Sequence, residues 1–261
     1  MIRFLKDRMS ALLELKNLVK RFQSFTAVNR ISLEVPAGEV LGFLGPNGAG
    51  KSTTMKMAAG FLEADEGSAH ICGVDVAGQP ELARRNLGYL PEGAPAYGEM
   101  SVMAFLRFCA RLRDLRGDEA REAIARAVDR TDLGGVLDQP IETMSKGFKR
   151  RVGLAQAILH EPKVLILDEP TDGLDPNQKH HVRQLIRDMS ADRAIVISTH
   201  ILEEVDAVCT RAVIIDQGAI VADGTAAELR KLGPNRARNS SLEDAFRHVT
   251  APVTADDQSH V

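Results

Sequence analysis

The chain has little cysteine, and the cysteine it has is scattered. Its 261 residues include three cysteines, Cys72, Cys109 and Cys209, which are far apart in the sequence. Zinc sites and disulfide frameworks need cysteines in paired spacings, so both are excluded as the basis of this fold. An odd number of isolated thiols fits a reducing cytoplasm.

Long apolar runs and a strong net charge are missing as well. The most apolar segments, around Val164–Leu167 and Ala194–Ser198, have the length of strands, whereas a membrane-spanning helix needs roughly 18 to 20 apolar residues. We therefore expect no membrane span. The formal net charge of −3 creates no global basic field that would draw the chain to nucleic acid, so we expect no nucleic-acid partner.

What remains is an ordinary globular composition. Hydrophobic residues make up 44% of the chain and charged residues 26%, and a chain of this length can bury a substantial core in one large domain. The opening residues, 1–10, carry three basic side chains and have no apolar run long enough for a signal-peptide core, which is typical of a flexible extension. Met9 offers an alternative start.

The apolar pattern divides the rest of the chain. Residues 11–44 alternate apolar and polar side chains in short runs, which predicts a β-rich layer. Residues 101–131 show helical spacing among many charges, which predicts an inserted helical lobe over about 93–160. From residue 145 onward, strands alternate with helices as in a parallel α/β sheet. The predicted units are an extension, 1–10, one α/β domain, 11–235, and a tail with a short helix, 236–261.

A glycine-rich loop separates a strand predicted at Val40–Leu44 from a helix predicted at Ser52–Ala59. It satisfies the G-x-x-x-x-G-K-S/T pattern of phosphate loops, whose glycines let backbone N–H groups surround phosphate oxygens. Lys51 would reach the β- and γ-phosphates, and the Ser52 hydroxyl group would ligate Mg²⁺. A glycine-rich turn beside a helix is the structural alternative. The predicted nucleotide-binding residues here are Gly45, Pro46, Asn47, Gly48, Ala49, Gly50, Lys51, Ser52 and Thr53.

The apolar strand at Val164–Leu167 delivers two carboxylates at its end, Asp168 and Glu169. Alone, this could be a buried strand that stops at a solvated acidic turn. Together with a phosphate loop the pattern becomes specific, because Asp168 can hold Mg²⁺ through the water shell of the metal. Glu169 points the other way along the strand and can polarise an attacking water. We therefore expect hydrolysis of a bound nucleotide, as distinct from its binding, to depend on Glu169.

Three further segments complete a recognisable set. The run Met-Ser-Lys-Gly-Phe at 144–148 precedes the acidic strand, while Gly-Leu-Asp at 173–175 and Thr-His at 199–200 follow it. The set resembles the signature, D-loop and switch histidine of ATP-binding-cassette (ABC) ATPases, and the match runs from about residue 12 to about residue 232. The resemblance implies an α/β P-loop NTPase fold with a RecA-like parallel-sheet core, an N-terminal antiparallel β layer and an inserted α-helical lobe.

The resemblance also implies roles for an aromatic residue and a histidine. Phe22 would stack on adenine, although Phe25 is a nearby competitor and either ring could simply pack in the β layer. His200 would contact the γ-phosphate and take part in catalysis. A histidine after an apolar strand is otherwise more often a structural residue.

The signature residues imply a partner. In this family a complete site combines the phosphate loop of one copy with the signature of another, so Ser145 and Gly147 would contact a nucleotide held by a second subunit. The structural alternative is that Ser145 and Gly147 only cap a helix. Asp175, in the D-loop, joins the predicted nucleotide-binding residues. The resemblance therefore implies a dimer, of two identical copies or with a paralogue.

Two departures from the family pattern stand out. Glu92 stands where most of the family has Gln, in a loop that contacts Mg²⁺ and the attacking water and senses the transmembrane partner. A carboxylate can still bind Mg²⁺, but it adds negative charge beside the triphosphate. The signature has Lys146 and Phe148 in place of the usual Gly and Gln, while Ser145 and Gly147 are kept.

These features are similar to those of prokaryotic export ATPases whose membrane subunit is a separate protein. We predict the ATP-binding and ATP-hydrolysing subunit of an ABC transporter, which uses ATP and Mg²⁺ and is held at the inner face of the cell membrane by its permease. The alternative is a non-transport ABC ATPase in translation or DNA repair, but such proteins usually carry two cassettes or a long coiled-coil insertion. The presence of Glu169 disfavours a regulatory scaffold with little turnover.

Overall fold

The computed structural model describes residues 11–234 and 240–251, so the predicted extension and part of the predicted tail lie outside the described residues. Within those ranges the chain forms ten β-strands and nine α-helices. The strands are β1 (Leu13–Phe22), β2 (Phe25–Val35), β3 (Val40–Leu44), β4 (Glu66–Ile71), β5 (Val74–Asp75), β6 (Leu87–Leu90), β7 (Val164–Asp168), β8 (Ala194–Thr199), β9 (Arg211–Asp216) and β10 (Ala219–Gly224).

The helices lie between and after these strands. The α-helices are α1 (Lys51–Ala58), α2 (Pro80–Arg85), α3 (Val102–Leu112), α4 (Gly117–Arg130), α5 (Lys146–Ile158), α6 (Pro176–Met189), α7 (Leu202–Val208), α8 (Ala226–Arg230) and α9 (Leu242–Val249). Short 3₁₀ helices cover Gly134–Val136, Ile141–Thr143 and Ser190–Asp192. Across the described ranges, no helix is both long enough and apolar enough to cross a bilayer.

Two sheets organise these elements. A four-stranded antiparallel sheet has the order β2-β1-β4-β5, and a six-stranded sheet has the order β10-β9-β3-β8-β7-β6. In the larger sheet β10 forms an antiparallel pair with β9, and the other neighbours are parallel. The predicted fold class is confirmed. The antiparallel layer takes in more of the chain than residues 11–44, because β4 and β5 return to it after α1.

The parallel strands of the larger sheet are buried on both faces. Successive side chains of a strand point to opposite faces, so Val164 and Ile166 of β7 pack with the antiparallel layer and α1. Leu165 and Leu167 face the other way and pack with α3, α4 and α5. A strand that fills two cores needs apolar residues at every position, which explains the unbroken apolar runs in the sequence.

The helical lobe is built from amphipathic helices. Ser101 caps the N-terminus of α3: its hydroxyl oxygen accepts a hydrogen bond from the Ala104 N–H at 3.2 Å, which is the usual way to satisfy a free N–H group at the start of a helix. Phe105 of α3 and Ile124 of α4 are buried, while the charged residues between them face outward, with the exception of the half-buried Arg113. Both helices lie within the segment predicted as the lobe.

The carboxyl ends of the parallel strands meet at one edge of the larger sheet. The register places Leu44 at the end of β3 beside Thr199 at the end of β8. It also places Asp168 at the end of β7 beside Ser198. Loops that leave these strands therefore share one edge, which is where ligands bind in parallel α/β sheets.

His160, just after α5, makes the stability of the fold depend on pH. Its Nε2 atom lies 3.0 Å from the carbonyl oxygen of Leu87. Burial, aided by the Arg113 guanidinium, lowers the pKa of His160 from 6.5 to about 4. Because the folded-state pKa is depressed, the contribution of the neutral ring is fully present above about pH 6.5 and is lost as the pH falls toward 4.

We expect protonation of His160 to lower the free energy of unfolding by about 3 kcal/mol between pH 6.5 and pH 4. His160→Gln cannot ionise and still offers a donor to the Leu87 carbonyl, so its stability should fall less over that range. Urea unfolding at a series of pH values measures the difference, with the exposed His180→Gln as the control. Parallel profiles for the wild type and His160→Gln would contradict this explanation.

Candidate functional site

The loop between β3 and α1 is shaped by close backbone contacts. Gly50 has a φ of 101°, and a Cβ atom there would lie 2.3 Å from the carbonyl oxygen of Ala27. A Cβ atom on Gly45 would lie 2.4 Å from the carbonyl oxygen of Ile215. Neither position accepts a larger residue without displacing backbone, so glycine is required at both. The loop leads directly into the N-terminus of α1, whose first N–H groups have no partner within the helix.

Lys51, the first residue of α1, lies across this loop. Its Nζ atom donates hydrogen bonds to the carbonyl oxygens of Gly45 at 2.7 Å and Pro46 at 3.0 Å. Burial lowers the pKa of Lys51, and three nearby carboxylates oppose that shift. These carboxylates belong to Glu169, Asp168 and Glu92. The ammonium group therefore lies in the field of all three acidic residues predicted for the site.

A cavity of about 420 Å³ opens beside the loop. It is lined by residues of the loop and of α1, by two aromatic rings and by three acidic side chains. The lining residues are Phe22, Phe25, Ala27, Asn47, Gly48, Gly50, Lys51, Ser52, Thr53, Glu92, Asp168 and Glu169. Segments far apart in the sequence thus place most of the predicted phosphate-binding residues, the three predicted metal-binding residues and Glu169 around one space. The predicted residues Gly45, Pro46, Ala49 and His200 are not among those that line it.

Asp168, at the end of β7, is almost completely buried. Its Oδ1 atom accepts a hydrogen bond from the hydroxyl group of Ser198. Its Oδ2 atom is buried and has no hydrogen-bond partner among the described residues. Buried carboxylate oxygens normally have partners, so this atom suits a Mg²⁺ ion or a water in its shell. Ser52 and Glu92, the other two predicted metal-binding residues, line the same cavity, so all three side chains offer oxygen atoms to a hard cation that phosphates also hold.

Glu169 follows Asp168 in a left-handed backbone conformation, with a φ of 51°. Such a conformation costs about 1 to 3 kcal/mol in a residue other than glycine and is concentrated at functional sites. The Glu169 N–H donates to the carbonyl oxygen of Ser198 at 3.1 Å, which ties the residue to β8. The Oε1 atom of Glu169 lies 2.9 Å from Nδ1 of His200. The structure therefore pairs the predicted base with the predicted switch histidine.

The signature and D-loop residues lie near one another, outside the described lining of the cavity. Ser145 caps α5, accepting a hydrogen bond from the Phe148 N–H at 3.3 Å. Asp175 caps α6, accepting one from the Gln178 N–H at 2.9 Å. A Cβ atom on Gly147 would lie 2.8 Å from Oε1 of Gln178. Within a single chain these residues serve as helix caps and close packing, and they are not brought to the cavity.

Both candidate adenine-stacking rings line the cavity. Phe22 is 47% exposed and Phe25 is 58% exposed, and they face each other where β1 turns into β2. The Lys20 ammonium lies 5.8 Å from the centroid of the Phe22 ring. Both rings are accessible to a planar ligand, so the assignment of Phe22 over Phe25 stays a prediction.

Sequence reasoning missed two residues that shape the site. The Ser198 hydroxyl group donates a hydrogen bond to Asp168. In the sequence, Ser198 is only a polar residue at the end of an apolar strand, and nothing there indicates this contact. Arg150 of α5 is buried, and its Nη1 atom donates to the carbonyl oxygens of Asp168 at 3.2 Å and of Pro91 at 3.3 Å. The Arg150 guanidinium therefore links Pro91, the residue before Glu92, to the end of β7. It lies beyond the 144–148 motif, so the motif could not reveal it.

Comparison with known proteins agrees with this geometry. The family model for ABC transporters matches residues 28–172. The daunorubicin/doxorubicin resistance ATP-binding protein DrrA of Streptomyces peucetius is 38% identical over 241 residues, which are 92% of this chain and 73% of that protein. The Nod factor export ATP-binding protein I of Burkholderia orbicola (strain AU 1054) is 35% identical, and the alignment covers 81% of this chain and 70% of that protein.

A solved structure described as the ATP-binding subunit of an ABC transporter matches the fold. It superposes with a TM-score of 0.84 at 32% sequence identity and covers 92% of this chain and 99% of that chain. The chain therefore belongs to the ABC transporter family, as an ATP-binding protein with ATP hydrolase activity.

We expect Lys51→Ala to weaken ATP binding about 10- to 100-fold, because a hydrogen bond to a charged group contributes about 1.5 to 3 kcal/mol. Lys56→Ala, at an exposed lysine of the same helix, is the matched control and should keep the wild-type affinity. Isothermal titration calorimetry with ATP and Mg²⁺ measures both variants. Equal dissociation constants for the wild type and Lys51→Ala would contradict the assignment of the cavity.

Proposed function

We propose that the cavity binds ATP with Mg²⁺, that two copies of the chain close to form complete hydrolytic sites, and that this closure drives export through a separate transmembrane permease. The observation that carries the proposal is the cavity itself. Residues of the phosphate loop share it with Asp168, whose buried Oδ2 atom has no hydrogen-bond partner in the described part of the chain. A phosphate-bound cation supplies the kind of contact that this oxygen requires.

In this proposal, each group of residues around the cavity has its own role. The N–H groups of the loop and Lys51 hold the β- and γ-phosphates, and Phe22 stacks on adenine. Ser52 and Asp168 hold Mg²⁺, and Glu92 offers a further oxygen. The remaining loop residues, Gly45, Pro46, Asn47, Gly48, Ala49, Gly50 and Thr53, shape the phosphate cradle. The bound ion would neutralise phosphate charge as the terminal phosphoryl group is transferred to water.

Glu169 acts on the attacking water. One of its carboxylate oxygens, Oε1, is engaged by His200, so the other is the candidate acceptor of the water's proton. In this proposal His200 fixes the orientation of Glu169 and contacts the γ-phosphate once the site has closed. The positive φ of Glu169 and its hydrogen bond to Ser198 hold the side chain at the strand end, beside the phosphates.

A second subunit completes the site. Ser145 and Gly147 lie outside the described lining of the chain's own cavity, at the N-terminus of α5. The dipole and free N–H groups of a helix N-terminus favour a bound anion, so these residues would grip the γ-phosphate of a nucleotide held by the other copy. Asp175, at the N-terminus of α6, would face the same interface. One phosphate loop and one signature per chain then give two complete sites per dimer, each with its own Glu169.

The surface beside Glu92 has the character of a docking site for the permease. Tyr97 is 54% exposed, and its ring centroid lies 6.4 Å from that of Phe105 and 5.5 Å from that of Phe108. Phe105 is buried and Phe108 is half-buried, so Tyr97 is the exposed ring of this cluster. Exposed tyrosine side chains are enriched in protein interfaces. Relatives named for drug resistance and for Nod factor export support the export direction. The chain would work in the cytoplasm, held at the membrane by its permease.

Replacing the proposed base should separate ATP binding from hydrolysis. Glu169→Gln should bind ATP and lose at least about 100-fold in turnover, because an amide cannot accept the proton. With ATP and Mg²⁺ it should therefore accumulate as a dimer, visible by size-exclusion chromatography with light scattering. Glu203→Gln, at an exposed carboxylate on α7, is the control and should hydrolyse ATP like the wild type. Unchanged turnover in Glu169→Gln would remove its role as base.

The same trapped dimer tests the permease. Tagged Glu169→Gln is purified with ATP from detergent-solubilised native membranes, and the proteins that come with it are identified. We expect a stoichiometric membrane protein with several transmembrane helices. A ribosome or DNA in its place would favour the non-transport alternative.

Glu92 should restrain basal hydrolysis. Its carboxylate shares the cavity with Asp168 and Glu169, and a third negative charge disfavours the approach of triphosphate. Removing about 1 kcal/mol of like-charge repulsion would raise kcat/KM about fivefold, so we expect Glu92→Gln to hydrolyse ATP faster than the wild type at ATP concentrations below KM, without a permease. A steady-state phosphate-release assay measures this, with the exposed Glu99→Gln as the control. Identical rates would show that Glu92 is not a restraint.

A further inference from the structure

Glu204 is a buried carboxylate with no direct part in the proposed reaction. It lies on α7 and is 4% exposed. The hydroxyl group of Thr171 donates to its Oε1 atom, and the hydroxyl group of Thr199 donates to its Oε2 atom at 2.7 Å. Each carboxylate oxygen is therefore engaged by a threonine from a different part of the chain.

The two threonines adjoin the two residues proposed to act on the attacking water. Thr171 lies two positions after Glu169, in the loop that leaves β7. Thr199 is the last residue of β8 and directly precedes His200. Both threonines are almost completely buried. Glu204 thus connects the segment that carries Glu169 to the segment that carries His200.

Neighbouring hydrogen bonds stiffen both connections. The Leu174 N–H donates to the carbonyl oxygen of Thr171 at 3.2 Å, which closes the turn after Glu169. The Ile201 N–H donates to Oγ1 of Thr199 at 3.0 Å. This hydroxyl group accepts one hydrogen bond while donating another to Glu204, so its direction is fixed. A displacement of the Glu204 carboxylate would therefore be passed to both strand ends.

The charge at Glu204 is poorly compensated for a buried group. Arg183 of α6 places its Nη2 atom 3.9 Å from Oε1, beyond hydrogen-bond distance. Burial raises the pKa of Glu204, and the Thr199 hydrogen bond and nearby positive charges only partly oppose it. Apolar packing in place of a buried ion often stabilises a fold at least as well. Stability alone therefore does not explain the carboxylate, whereas the geometry that it imposes does.

We propose that Glu204 is a positioning residue that holds Glu169 and His200 in register for ATP hydrolysis. The 2.9 Å contact between His200 Nδ1 and Glu169 Oε1 spans two loops, and Glu204 fastens both loops to one helix. Glu204 is not among the residues that line the described cavity, so it acts through its threonines. The inference rests on the roles proposed above for Glu169 and His200.

The test separates chemistry from binding. Glu204→Ala should lower kcat for ATP hydrolysis about 10- to 100-fold while KM changes by less than about threefold, because a misplaced base slows the reaction and leaves the phosphate contacts in place. Glu203→Ala, at the exposed neighbouring residue of α7, is the matched control and should keep the wild-type kcat.

Threonine variants keep the test decisive if Glu204→Ala fails to fold. Thr199→Val preserves the shape of the side chain and removes the hydroxyl group, so it should lower kcat as Glu204→Ala does. Thr199→Ser keeps the hydroxyl group and should retain most of the wild-type kcat. Thr199→Val and Glu204→Ala should break the same hydrogen bond. The fold-loss in kcat of the variant that carries both changes should therefore be smaller than the product of the two single fold-losses.

Two outcomes distinguish this inference from the function on which it rests. A wild-type kcat in both Thr199→Val and Glu204→Ala, beside an inactive Glu169→Gln, would overturn the positioning role and leave the hydrolytic site as proposed. An active Glu169→Gln would remove the proposed base itself. A raised KM with unaltered kcat in Thr199→Val would also overturn the inference, because it would assign the connection to nucleotide binding.

Discussion

The parallel pairing of β7 with β8 is the constraint on which the site depends. This register sets Asp168 beside Ser198, which lets the serine hydroxyl bind one carboxylate oxygen and the serine carbonyl bind the Glu169 N–H. A slip of one residue would turn each strand side chain to the opposite face. Since β7 fills a core on each side, such a slip would exchange the residues of both cores. The packing of the whole sheet therefore fixes the position of two carboxylates.

Each layer of the fold contributes residues to the cavity or to its edge. The antiparallel sheet contributes the rings of Phe22 and Phe25, and the parallel sheet contributes the phosphate loop and Asp168. The helical lobe reaches the same edge through Arg150. A shift of the lobe against the sheet would therefore act directly on the strand ends. Such coupling within one chain would allow the proposed closure between two chains to change the position of the Glu92 loop.

Much of the parallel core was predictable, because a strand buried on both faces must be apolar along its length. Val40–Leu44 was predicted with the bounds that the structure shows, and Val164–Leu167 falls short of β7 only by Asp168. The strand Glu66–Ile71 was missed, since its glycine, serine and histidine hide the alternation of a half-buried strand. Its place in the antiparallel layer comes from pairing with β1, a contact between distant parts of the chain.

The candidate site likewise contains some residues that the sequence predicts and others that it does not. The phosphate loop and the acidic pair could be predicted because their chemistry requires fixed residue types at short spacings. Ser198, Arg150 and Glu204 could not. Charged residues are rarely buried unless paired, so a glutamate or arginine in a helical segment is expected to face solvent. The bond between Thr171 and Glu204 joins residues 33 positions apart, and only the folded arrangement of β7, β8 and α7 brings them together.

Lys51 has hydrogen-bond partners within its own loop. Its ammonium group holds the carbonyl oxygens of Gly45 and Pro46, so the lysine maintains the curvature of the loop that it serves. An ammonium group has three donors, so one donor is left for a phosphate oxygen while the other two hold the loop. A hydrogen bond from this ammonium to a charged phosphate oxygen is stronger than one to a neutral acceptor. A nucleoside without phosphates would not gain that contact, however well its base stacks on an aromatic ring, so the proposed site would favour polyphosphates over the bare nucleoside.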